Sequence, residues 1–210
     1  MQKELLDQLE TPCIVIDMAR AEENVIRMQA EADAAGCRLR PHIKTHKMPL
    51  FTRMQLAHGA AGITCAKVSE AEVMADGGAE DIFIAYPMVG DFRIKRAIAL
   101  AGRLKRLILA VDSMECAMPL NEAAKAAGIT LEVRLEVDTG AKRTGVRRTK
   151  AAELAKEIHQ LSNLNLTGIY TFKSLVYHDE PTEDKVIAGA EEGDMMEAIA
   201  EEIRKAGVPI

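Results

Sequence analysis

No two cysteines stand at Cys-x-x-Cys spacing. Cys13, Cys37, Cys65 and Cys116 are widely scattered, a pattern that signals neither a zinc site nor a disulfide framework and reads as four reduced core residues. The start of the chain, Met1 to Asp7, lacks the basic-then-apolar pattern of a secretory leader, and no apolar run is long enough to cross a bilayer. A cytoplasmic protein is expected. No basic cluster stands out, and the net charge is -5 with a pI near 5.6, so nothing draws the chain to nucleic acid or an anionic membrane. That leaves a small molecule as the expected ligand. Repeats, linkers and low-complexity stretches are also missing, and one domain is the default for residues 1–210.

What is present is enough apolar material for one core: 48% of the 210 residues are hydrophobic and 28% are charged. β-Branched runs alternate with stretches of helical spacing. Strands are predicted at 11–17, 37–44, 62–68, 81–86, 106–111, 129–138 and 166–172, with Val208-Pro209-Ile210 opening one more. Helices are predicted at 18–35, 48–58, 69–76, 91–101, 114–126 and 183–206, the one at 69–76 starting from a capping box of Ser69 and Glu72. Such alternation points to a parallel sheet of (β/α) type. The loop 177–182 is either a mobile excursion at the sheet's C-terminal end or a plain surface turn.

Three stretches carry candidate chemistry. In Cys37 to Lys47, strand alternation puts Arg38, Arg40, His42 and Lys44 on one face and Leu39 and Ile43 on the other. Lys44 then ends the strand where a (β/α) barrel collects its catalytic groups, among cations that would lower its pKa and make its amine nucleophilic. It reads as a Schiff-base lysine. In 129–138, Leu131, Val133, Leu135 and Val137 alternate with Glu132, Arg134, Glu136 and Asp138. The charged face either points into a barrel lumen, where its charges must pair, or lies on a solvated edge. Beyond it, Asp138-Thr139-Gly140-Ala141-Lys142-Arg143-Thr144-Gly145 is a glycine-marked turn carrying Arg143, and in Gly168-Ile169-Tyr170-Thr171-Phe172 the two aromatic residues share a face. His159 and His178 have no partners at metal-ligand spacing.

Arg40-Pro41-His42-Ile43-Lys44-Thr45-His46-Lys47 and the Asp-Thr-Gly-x-x-Arg-x-Gly run at 138–145 together resemble the D-threonine aldolase and D-serine dehydratase branch of the alanine racemase-like, fold-type III pyridoxal phosphate enzymes. The resemblance covers nearly the whole chain. It implies a (β/α)8 TIM-type barrel of the alanine racemase N-terminal type, incomplete at its C-terminal end: a single domain without the last barrel strands and the family's C-terminal β-rich domain. It also implies a pyridoxal 5'-phosphate-dependent lyase acting on D-β-hydroxy amino acids, with an amino-acid racemase or an inert cofactor-binding fragment as the alternatives, and it allows a homodimer. Lys44 would be the catalytic residue, and Lys44, His42, Arg143, Tyr170 and Phe172 the cofactor-binding set. Arg143 would reach the cofactor's phenolic oxygen, and Glu136, where alanine racemases often carry a carbamylated lysine, would supply the anion that pairs with it. Many relatives have histidine at the position of Phe172, which can stack but cannot relay a proton. The family's phosphate cradle and metal pair would lie beyond Ile210, so no metal ligand is expected here and a divalent metal belongs only to a full-length form.

Overall fold

The computed structural model describes residues 7–210; Met1 to Leu6, most of the stretch read above as lacking a leader pattern, lies outside the described residues. Five parallel strands form the sheet: β1 (Ile63–Cys65), β2 (Asp81–Pro87), β3 (Arg106–Val111), β4 (Leu131–Asp138) and β6 (Leu164–Tyr170), paired in that order. A two-residue strand, β5 (Val146–Arg147), adds beside the end of β4. Around them run α1 (Met18–Ala34), α2 (Pro49–Ala57), α3 (Val68–Asp76), α4 (Asp91–Ala101), α5 (Met114–Ala127), α6 (Ala151–His159) and α7 (Lys185–Lys205).

Alternate side chains of each strand face the helices. Ile82 and Ile84 of β2, Leu107, Leu109 and Val111 of β3, and Leu131 to Val137 of β4 at alternate positions join one large cluster with Ile94, Leu120, Leu154, Ile158 and Ile203 of the helices. Registers such as Ile82 with Leu107 and Leu109 with Val133 stack these residues in rows. Burying one such side chain contributes about 1.5–3 kcal/mol, so the helix-covered face is the main source of stability. The opposite face holds Phe83, Ile108 and Ala110 as a small apolar cluster, and beside it lie paired charges, as the lumen-facing reading of the alternation expected. Arg40 bonds Asp81 at 2.8 Å, and Arg106 grips Glu132 through two hydrogen bonds of 2.8 and 2.6 Å. Arg134 lies 5.7 Å from the Phe83 ring centroid.

Several predicted elements are corrected. Residues 11–17 do not pair, and Ile14 is 93% exposed. The run 37–44 is no strand: it stays extended to His42, which makes a single bridge to Thr64, and then turns into a one-turn helix over Ile43–Thr45. Pro41 has no N–H to give a ladder, and the His42 ring accepts the Lys44 N–H at 3.3 Å and so stabilises the turn instead. The capping box at α3 does not form. Glu70 caps the preceding chain by accepting from Ala66 N, while Glu72 pairs with Arg96 of α4. Helix α6 was not among the predicted elements, although Ala151, Leu154, Ala155 and Ile158 are buried at helical spacing. The 177–182 loop forms a short hairpin, β7 (Val176–Tyr177) with β8 (Glu180–Pro181). Val208 is buried, but 208–210 forms no strand among the described residues. No helix among the described residues is long and apolar enough to cross a membrane.

Candidate active site

The C-terminal ends of β1, β2, β4 and β6 surround a cavity of about 360 Å³, and the turn after His42 reaches into it. All five residues proposed from the sequence as cofactor contacts line this one cavity, together with Glu136. Each is placed by a different local device. Ile43, fully buried, pegs the one-turn helix against the sheet and leaves the neighbouring Lys44 exposed at the cavity edge. His42 accepts the backbone N–H of Lys44 through Nδ1, which puts the proton of its neutral ring on Nε2. Burial, and then the charge of Lys44, hold His42 below the usual imidazole pKa.

Arg143 is held by a turn that few other sequences could form. The Asp138 carboxylate accepts from the N–H groups of Gly140 and Lys142 at 2.9 and 3.0 Å, closing the loop over its own strand end. Gly145 then passes the backbone of β4 so closely that a Cβ would lie 2.7 Å from Asp138 N, and its φ of +100° is itself in the region that favours glycine. Arg143, exposed between these two constraints, sets its guanidinium 4.8 Å from the Phe172 ring centroid, and Lys44 Nζ lies 5.2 Å from the same centroid. The two cations therefore meet at one aromatic ring. Phe172 itself lies beyond the end of β6 and is 44% exposed.

The expected pair of Glu136 and Arg143 does not form. Glu136 is 3% exposed, and its two oxygens accept from Thr144 Oγ1 at 2.7 Å and from the Tyr170 hydroxyl at 2.8 Å. Two neutral donors at short range satisfy the carboxylate without bringing a long charged side chain into the lumen. Tyr170 stands edge-on to Phe83 with centroids 4.9 Å apart. Burial and the Glu136 charge push its pKa far above the usual phenol value, so its hydroxyl keeps its proton at neutral pH.

Sequence reasoning missed Thr144, which spacing alone could not mark, and a second cluster behind the cavity. Lys173 is 1% exposed and pairs with Glu191 of α7, which also binds His178 Nδ1 at 2.9 Å. His178, read as lacking partners at metal-ligand spacing, is thus paired with a carboxylate. Among the described residues no three His, Cys, Asp or Glu side chains are grouped as metal ligands. An exposed amine, a guanidinium, a protonated tyrosine hydroxyl, a neutral imidazole and a flat aromatic wall fit an aldehyde-bearing aromatic ring such as that of pyridoxal phosphate.

Comparison with known proteins bears on the fold and the family. The chain is 33% identical to the D-threonine aldolase of Arthrobacter sp over 207 residues, covering 97% of this chain and 54% of that one. It is 36% identical to the D-threo-3-hydroxyaspartate dehydratase of Delftia sp. (strain HT23) over 213 residues, covering 100% of this chain and 55% of the relative. The crystal structure of D-threonine aldolase from Filomicrobium marinum superimposes with a TM-score of 0.88 at 32% identity, over 95% of this chain and 54% of that one. The chain thus spans about half the length of the curated relatives it matches. The model of the alanine racemase N-terminal domain matches residues 16–210, and the chain belongs to that family.

Proposed function

We propose that the Lys44 cavity is the cofactor site of a pyridoxal 5'-phosphate-dependent lyase acting on D-β-hydroxy amino acids. The observation that carries the reading is the convergence of Lys44, His42, Arg143, Tyr170 and Phe172 on one cavity, in a chain whose relatives are a D-threonine aldolase and a D-threo-3-hydroxyaspartate dehydratase. Lys44 would supply the amine for the cofactor aldehyde, Arg143 would offer a cation to its phenolic oxygen, and Phe172 would give its ring an apolar wall. When bound, the cofactor supplies an electron sink for bonds at the substrate α-carbon. Tyr170 stays a neutral donor locked on Glu136 and Phe172 relays no proton, which leaves Lys44 and the neutral imidazole of His42 as cavity groups able to move one. A cytoplasmic location, where its four unpaired thiols stay reduced, and a homodimer complete the reading.

Product analysis tests it. With cofactor added, D-threonine, D-serine and D-3-hydroxyaspartate should yield either glycine and an aldehyde, by retro-aldol cleavage, or ammonia and a keto acid, by β-elimination. Turnover of D-alanine to its L form alone would contradict the lyase and favour a racemase. A second reading is a chain that binds the cofactor and turns nothing over. An absorbance change on adding cofactor, without product from any substrate, would support it.

A further inference from the structure

Phe172 and Lys173 leave the chain in opposite directions. Phe172 lines the Lys44 cavity, whereas Lys173 lines a second cavity of about 420 Å³ behind it, and the Thr139 and Thr171 hydroxyls, 2.7 Å apart, stand between the two. The Lys173 amine is almost fully buried and ends on Glu191. Glu191 also accepts the backbone N–H of His178 at 3.2 Å and approaches its Nδ1 at 2.9 Å. One carboxylate on α7 therefore ties down both ends of 173–178, the segment that directly follows Phe172.

That segment needs a restraint. Ser174, His178 and Asp179 have φ values of +69°, +50° and +65°, a region that residues other than glycine adopt at a cost and keep only where their surroundings impose it. Without the tie to α7 the loop would relax toward ordinary backbone, and Phe172 would move with it. The partners are also costly to separate, because a buried ammonium without its carboxylate is strongly unfavourable. Resting on the reading of the Lys44 cavity as a cofactor site, we infer that Glu191 is a positioning residue: through Lys173 and His178 it holds Phe172 over that cavity.

The chain has four phenylalanines, so protein labelled with fluorophenylalanine gives four fluorine NMR signals, and Phe172→Leu identifies the one of interest. In cofactor-free protein, Glu191→Ala and Lys173→Met should each move or broaden the Phe172 signal and leave those of Phe51 and Phe92 in place. Titration with pyridoxal phosphate should then show affinity about tenfold weaker, as for a site whose competent state is populated roughly a tenth of the time. A Phe172 signal unmoved in both variants would overturn the inference, and so would a moved signal with unchanged affinity. Should either variant fail to fold, His178→Ala, a change at an exposed residue, must give a smaller displacement of the same signal; none would count against the clasp. Wild-type protein that binds no cofactor, with a Phe172 signal that still responds to Glu191→Ala, would remove the cofactor reading and leave the clasp intact.

Discussion

Glu136 shows how a buried charge is settled residue by residue. Its oxygens are taken by Thr144 and Tyr170, so the energetic coupling lies with those hydroxyls and not with Arg143. Glu136→Leu should leave two hydroxyls without an acceptor and cost about 1–3 kcal/mol for each one that stays buried. Glu136→Gln should be milder, because either hydroxyl can rotate to accept from the amide. Arg143→Met, at an exposed position, should change stability by less than about 1 kcal/mol. Denaturant unfolding of Glu136→Gln, Arg143→Met and the double variant should give additive losses, and a large coupling energy would contradict the geometry. The alternation of 129–138 put Glu136 on the charged face, and its 3% exposure decides for the lumen over a solvated edge. The alternation could not show the partner, because a cation seven residues along the chain is not the nearest donor in space.

The elements differ in how openly the sequence displays them. Strand β4 and its apolar face were legible because a period-two run leaves one arrangement that buries it, whereas β2 and β3 are near-continuous apolar runs that mark a strand but not its face. The stretch 37–47 was not legible, since its pattern fits a strand while Pro41 and the His42 side chain favour a turn, and that turn places Lys44. Helix α6 was legible in principle, and its core residues give a direct test. Ile158→Ala, at a fully buried position, should cost about 2–5 kcal/mol, measurable from the urea midpoint; a loss below about 0.5 kcal/mol would put that face in water. Gly145 is the sharpest local constraint. Gly145→Ala should destabilise the chain and shift Arg143, because backbone atoms of β4 occupy the space its Cβ needs, and wild-type stability in that variant would contradict the close approach. Lys173 and Glu191 lie on separate elements 18 residues apart, and no periodicity links them.

At the scale of the whole molecule, acid should weaken the fold in two stages. Burial holds His42 and His46 below the ordinary imidazole pKa, with Lys44 adding to the effect at His42. Their contribution is therefore complete above about pH 6.5 and is lost as pH falls through their lower folded values. Burial alone would raise Glu132, but hydrogen bonds from Arg106 and Thr167 outweigh it and leave its pKa lowered. Its contribution is complete above about pH 4.3 and is lost below that. Urea midpoints should fall between about pH 7 and pH 3, and His46→Gln should flatten the upper part; midpoints constant over the range would contradict these assignments.

The sheet, its charged lumen and the strand-end cavity together place Lys44 beside Arg143 and Phe172, and the account depends on that lysine being the point of attachment. Incubation with pyridoxal phosphate, borohydride reduction and peptide mapping by mass spectrometry tests this most directly. The account requires the pyridoxyl label on Lys44, with labelling lost in Lys44→Ala. Label on Lys47 or Lys173 instead, or on no lysine under conditions where a full-length relative is labelled, would contradict it.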